Sequence, residues 1–227
     1  MSKISTKGTC QFCHGVFSKA AITKHLEACP QRTEVAGARS GKTTKRTQLL
    51  HLLVEGRDQP QYWMHLEMPA NTTLQTLDNF LRKTWLECCG HLSKFDLAGV
   101  SYASYPDPEF GDKSMRVQVG TILSPGVQFS HEYDFGTTTE LRLKVVSERE
   151  GEVKGKSSIQ VLARNEPPTI PCSVCGKPAT DVCAQCIYEG SGWLCETCAE
   201  EHECGEEMLL PVVNSPRVGM CGYTGPA

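Results

Sequence analysis

The sequence predicts an α+β fold, a mostly antiparallel sheet with one principal helix, flanked by a small cysteine-rich module at each terminus. Three observations carry that expectation. Between residues 47 and 168, short runs alternate apolar with other residues, as on strands with one buried face. One stretch instead places Leu74, Leu77, Leu81 and Trp85 at helical spacing behind a capping signature, Thr72-x-x-Gln75. The thirteen cysteines gather in Cys-x-x-Cys pairs towards the two ends, leaving Cys88 and Cys89 between them.

At the N-terminus, Cys10 and Cys13 are followed by His25 and Cys29. Two residues between paired cysteines allow a tight knuckle that presents both sulfurs to one tetrahedral zinc ion. Ser18 is a helix N-cap, and His25 and Cys29, four apart, face the knuckle from one side of that helix. Phe17, Ile22 and Leu26 supply a miniature core. The pattern resembles the Cys-Cys-His-Cys zinc fingers, which assigns residues 1–31 to one zinc-stabilised module. Residues 32–46 are small, polar and basic, a flexible linker. Within it, Ala36-x4-Gly41-Lys42-Thr43 matches a permissive phosphate-binding loop but lacks the preceding buried strand, so it reads as coincidence.

The central domain, 47–168, opens with the apolar run Leu49–Val54, a turn containing Pro60, and a half-buried strand carrying Tyr62, Met64, Leu66 and Met68. The helix from Leu74 is expected to stop near Gly90, and strands to follow around Phe95–Tyr102, Val117–Leu123, Val127–Tyr133, Leu141–Val146 and Ser158–Ala163. His91, Asp96, His131, Glu132 and Asp134 are its candidates for acid–base chemistry. Each also has a plainer role: His91 at the helix C-terminus, Asp134 fixing a turn, His131 and Glu132 on opposite strand faces. Cys88-Cys89, being adjacent, makes a poor metal pair and reads as partly buried packing.

Met68-Pro69-Ala70 before the helix, His91-Leu92-x2-Phe95 after it, and Tyr133-Asp134-Phe135-Gly136 resemble the Ri-plasmid third-open-reading-frame-like family. That family is also described as an insertion-element passenger family with a resolvase-like label. The resemblance covers about residues 47–165, departing after Gly136 at Thr137-Thr138-Thr139-Glu140. It implies the α+β fold and an association with mobile DNA.

Glu166-Pro-Pro-Thr-Ile-Pro171 opens the C-terminal module, 169–227, with three pairs: Cys172/Cys175, Cys183/Cys186 and Cys195/Cys198. His202, Cys204 and Cys221 follow, and Met208–Val213 is strand-like. The order resembles double-zinc cross-brace modules such as the B-box. That resemblance implies Cys172, Cys175, Cys195 and Cys198 on one zinc, and Cys183, Cys186 and His202 on another. The last ligand of the second site is Cys204 or Cys221, giving three zinc ions in all. Asn214-Ser-Pro-Arg217 is a candidate exposed loop for a protein partner.

Composition bounds the function. The 227 residues are 39% hydrophobic, without an N-terminal apolar run or a stretch long enough to cross a membrane. An odd number of cysteines in metal spacing fits the reducing cytoplasm better than a disulfide framework. Residues 1–50 hold nine Lys/Arg against two Asp/Glu, and residues 171–227 two against eight, local charges of +7 and −6. Weak nucleic-acid contact is therefore expected through residues 1–46 alone, with Lys19, Thr23 and Lys24 on the finger helix. The expected function is a cytoplasmic zinc-binding interaction or regulatory protein; the alternative is an enzyme with a site near His91 and Asp134.

Overall fold

The computed structural model describes residues 6–32, 46–152 and 159–226. The linker over 33–45, with the Ala36–Thr43 motif, and Ser158 at the start of one expected strand lie outside the described residues.

The expected α+β architecture, dominated by an antiparallel sheet, is present. Lys7–Cys10 (β1) and Val16–Ser18 (β2) lead to the helix Lys19–Ala28 (α1). Arg46–Gly56 (β3) and Trp63–Pro69 (β4) precede the principal helix Leu74–Leu81 (α2). Next come Ser93–Leu97 (β5), Val100–Ala103 (β6), Lys113–Ser114 (β7), Gln128–Tyr133 (β8), Thr139–Glu152 (β9) and Gln160–Asn165 (β10). These ten strands form one sheet in the order β2-β1-β10-β4-β3-β9-β8-β5-β6-β7, antiparallel except for β6 beside β7. A smaller sheet joins Trp193–Leu194 (β12), Asp181–Cys183 (β11) and Leu209–Pro211 (β13), with a short helix, Glu196–Glu200 (α3), after β12.

Strand periodicity sorts the core onto two faces. Register pairs Leu50 with Met68, Leu52 with Leu66 and Val54 with Met64, and this row packs under Leu74, Leu77, Leu81 and Trp85 of the helical segment. Burying each such side chain contributes roughly 1.5–3 kcal/mol. The opposite face of β4 is not the solvent face that its alternation suggests: all seven residues are buried. Trp63 packs there with Ile22, Leu26 and Leu162, so the N-terminal module lies on the sheet as well as extending it. Gly8 has no room for a side chain, because a Cβ would overlap the Trp63 ring. The Trp63 indole N–H donates to Thr6 Oγ1 at 2.9 Å.

Several local expectations are corrected. The cap of α2 is Thr73, whose side chain accepts from Thr76 N–H, while Gln75 Nε2 reaches Asn79 Oδ1 at 3.4 Å. The helix continues as a π turn over Arg82–Leu86, widening the backbone after Leu81. Phe95–Tyr102 is a hairpin, β5 and β6, turning at Ala98 and Gly99, both with positive φ. Val117–Leu123 is not a strand. Its backbone serves α2 instead: Leu74 N–H donates to Val117 C=O at 3.1 Å, and Gly120 N–H to Ala70 C=O at 2.8 Å. Asn214–Arg217 is no exposed loop either: Ser215 and Arg217 are fully buried, and Asn214 is tied to Asn165 of β10.

Candidate metal centres

The N-terminal knuckle begins at the end of β1. His14 takes a left-handed φ of 57°, and Gly15 N–H donates to Cys13 Sγ at 3.4 Å. Ser18 caps α1 through Ala21 N–H, as its position predicts. The helix returns His25 and Cys29 to the knuckle, with His25 Nε2 3.3 Å from Cys13 Sγ and Cys29 Sγ 4.0 Å from Cys10 Sγ. Phe17 stacks on His25 at 4.0 Å between ring centroids and fixes the imidazole. The four expected residues converge, their ligand atoms all within 4.8 Å of one another.

The C-terminal pairs interleave in the expected cross-brace. Cys172, Cys175, Cys195 and Cys198 form one group, with Cys175 Sγ and Cys195 Sγ 3.5 Å apart. Gly176, at φ 76°, turns the first knuckle so that its N–H donates to Cys172 C=O. Cys183, Cys186, His202 and Cys204 form the other, with Cys186 Sγ 3.5 Å from His202 Nε2 and 3.6 Å from Cys204 Sγ. Cys204 thus fills the ambiguous position. Cys221 does not: it lies with Cys88, Cys89 and His91, 3.7 Å from Cys89 Sγ and 3.2 Å from His91 Nε2. Cys88 is partly buried against the core, as expected, whereas Cys89 is exposed.

The fit to zinc is geometric. A regular tetrahedron with Zn–S bonds of about 2.3 Å has an S···S edge of about 3.8 Å, and an S···N edge of about 3.6 Å when one ligand is His. The sulfur pairs in direct contact lie 3.5 to 4.0 Å apart and the S···N contacts are 3.2 to 3.5 Å, with every pair of donor atoms in a group within 4.8 Å.

The thiols are polarised for the same task. Burial raises the Cys172 thiol, but backbone N–H groups of Cys175, Cys195 and Val174 outweigh it and bring its pKa down to about 6. In Cys183 burial is likewise overcome by the N–H groups of Cys186 and Gln185, again to about 6. The neighbouring thiols are held protonated by hydrogen bonding to them: Cys198, bonded to Cys175 and Cys195, is pushed up to about 12, and so is Cys186, bonded to Cys204 and Cys183, with the neighbouring thiolate charge adding to it. A divalent cation reverses that second effect and releases protons as it binds.

The acid–base candidates are not assembled into one site. Asp96 caps the β5–β6 turn through Gly99 N–H, and Glu132 pairs with Lys94 at 3.2 Å. His131 is fully buried, 2.8 Å from Asp78 Oδ1 on α2. Only His91 and Asp134 meet, at 3.6 Å. Asp134 is committed elsewhere: Oδ1 accepts from Gly136 and Thr137 N–H, and Oδ2 from the buried Arg217 at 2.7 Å. Burial raises the Asp134 carboxyl, and Arg217 with those N–H groups holds it below the usual range.

The finger helix turns much of its expected phosphate-contacting surface inward. Lys19 Nζ pairs with Glu55 at 2.6 Å and donates to Pro60 C=O, and Thr23 Oγ1 lies 3.4 Å from His65 Nε2. Arg32, after the helix, is held by Glu67, which also takes two bonds from Arg149. Lys24 remains exposed.

No protein-family model matches the chain, and comparison with curated proteins gives no match. Among solved structures the chain is similar to a protein of unknown function from Methanosarcina mazei Go1, at 16% identity and a TM-score of 0.41. That likeness covers 51% of this chain and 67% of the other. Among the described residues no helix is long and apolar enough to cross a membrane.

Proposed function

We propose that the chain is a zinc-stapled interaction protein of the cytoplasm, in which the metal ions hold modules together and do no chemistry. One observation carries the reading: three groups of four Cys/His ligands, each with its donor atoms within 4.8 Å of one another. Four protein ligands fill a tetrahedron and leave no position for a reactive water, the mark of a structural site. A protein partner is the occupant that the C-terminal module favours. Glu196, Glu200, Glu201, Glu203, Glu206 and Glu207 are all exposed there, with Tyr188 64% and Val174 71% exposed nearby. Association with mobile DNA rests on the resemblance of residues 47–165 to the insertion-element passenger family. Nucleic-acid contact is weak on this reading, because Glu55 and Glu67 neutralise Lys19 and Arg32.

Elemental analysis of chelator-free protein tests the staples, with zinc expected in all three groups; one zinc ion or none per chain would overturn the proposal. A low-salt shift assay of the full chain against an Arg39→Glu/Lys42→Glu/Lys45→Glu variant tests the contact. Loss of a weak, salt-sensitive shift in the variant places it in the basic segment. An unchanged shift moves it elsewhere.

A further inference from the structure

We propose that Cys88, Cys89, His91 and Cys221 bind a fourth zinc ion, which clasps the C-terminal tail to the central sheet domain. This goes beyond the three terminal staples and joins two segments that sequence spacing gives no reason to connect.

The donor atoms converge. Cys88 and Cys89 leave the π turn after α2, and His91 follows Gly90, which turns the chain with a φ of 76°. Cys88 and Cys89 lie in a bend rather than an extended stretch, which would send them to opposite sides, and the Gly90 turn brings His91 back to the same point. Cys221 arrives from 132 residues beyond Cys89, yet its sulfur lies 3.7 Å from Cys89 Sγ. All four donor atoms fall within 4.8 Å, the same closeness as the three other groups.

The ligand count also closes. All thirteen cysteines of the chain fall into the four groups, with His25, His91 and His202 completing them. Every group is therefore a full tetrahedral set, and no thiol is left over.

The surroundings hold the tail for this purpose. Cys221 has a left-handed φ of 47° between Gly219 at 79° and Gly222 at 68°. A non-glycine residue takes that conformation only where neighbouring contacts impose it. The contacts are present on both sides: Ser215 Oγ donates to Trp85 C=O at 2.6 Å, Val218 is fully buried, and Tyr223 is 1% exposed. Arg217 Nη2 donates to Cys88 Sγ at 3.3 Å while binding Asp134, a hydrogen bond to a ligand sulfur of the kind that orients metal thiolates. Three thiolates and one imidazole on Zn2+ make a closed, structural site.

The test uses the full chain, purified without chelator under reducing conditions. Elemental analysis is expected to return four zinc ions per chain, and Cys221→Ser three. Cys221→His, which restores a nitrogen ligand, is expected to regain the fourth. Cobalt substitution should show thiolate-to-cobalt absorption that falls by about one quarter in Cys221→Ser. If that variant does not fold, the wild-type count decides, together with alkylation of the native protein. Cys88, Cys89 and Cys221 should be protected until a chelator is added. Three zinc ions in the wild type, with those cysteines freely alkylated or with Cys89 and Cys221 joined as a disulfide, overturns the clasp and leaves the three terminal staples standing. A count of one or none overturns both proposals.

Discussion

His51 and His65 make the interior of the sheet sensitive to acid. They sit opposite α2 on the finger-covered face, 2% and 0% exposed, joined by a 2.8 Å bond from His51 Nε2 to His65 Nδ1. Burial lowers the His51 pKa to about 3, helped by Arg32 and Arg149; burial also lowers His65 to about 3, with His51, Arg32 and Lys19 adding to it. Both folded values are depressed below the ordinary 6.5, so the unfolded chain takes up these protons first. Stability is then full above about pH 6.5 and is lost progressively as pH falls towards 3. Going from pH 7 to pH 5, each histidine removes about 2 kcal/mol and the pair about 4, a large share of the roughly 5–15 kcal/mol that holds a domain. Acid also strips zinc from thiolates, so the informative comparison is with His51→Gln/His65→Gln, in which neutral amides replace the imidazoles. Urea unfolding followed by fluorescence of the buried tryptophans, with reductant and excess zinc, gives stability at each pH. The wild type should lose about 4 kcal/mol more than the double variant over that interval. Equal pH slopes would refute the reasoning.

Arg217→Met should destabilise the chain by about 3–5 kcal/mol, because it leaves Asp134 buried without its partner, and Asp134→Asn in the same chain should recover part of the loss; a double-mutant cycle by urea unfolding measures this. Leu26→Ala, at a 1% exposed position between finger and sheet, should lower stability by about 2–5 kcal/mol. Cys29→Ser should remove one zinc ion and shift Trp63 emission to the red, since the finger covers that indole; unchanged emission would mean that the module stays docked without metal. Cys204→Ser should remove one zinc ion, and elemental analysis showing no loss would return the ligand assignment to open question.

The alternating strands were legible because a half-buried strand writes its period directly into the chain. Leu141, Leu143 and Val145 of β9 and the Leu74–Trp85 stripe lie where their spacing places them. The second covered face was not. In β4, His65 and Glu67 alternate with Met64, Leu66 and Met68 and read as solvent-facing, yet the finger module buries them and Arg32 and Arg149 offset the Glu67 charge. Nothing in a local window reports what a module from elsewhere in the chain will cover. Val117–Leu123 has strand composition, but its backbone answers the chain entering α2 instead: the Val117 carbonyl takes the Leu74 N–H, while Val119 and Gly120 N–H donate to Thr72 and Ala70 C=O, a demand set by tertiary position. The terminal ligand groups were readable from Cys-x-x-Cys spacing. The Cys88–Cys221 group was not, although two signals pointed to it: an odd thiol beyond the cross-brace, and a Cys-Cys-x-His cluster with no other use.

The pairing of β1 with β10 sets an order of events during synthesis. Gly8 lies opposite Asn165 and Cys10 opposite Ala163, so the first strand made waits for the last strand of the large sheet. At a ribosomal rate of about 5–20 residues per second, that wait is on the order of ten to thirty seconds. Through it β1 is an open strand edge and Ile22 and Leu26 have only part of the surface they pack on, Trp63 of β4 being made early and Leu162 of β10 late, the exposure that leads nascent chains to aggregate. The ligands Cys10, Cys13, His25 and Cys29 are all made within this early stretch, so metal can close the finger before its docking surface is complete. If zinc is the metal, as proposed, its supply during translation is then expected to bear on the yield of folded chains.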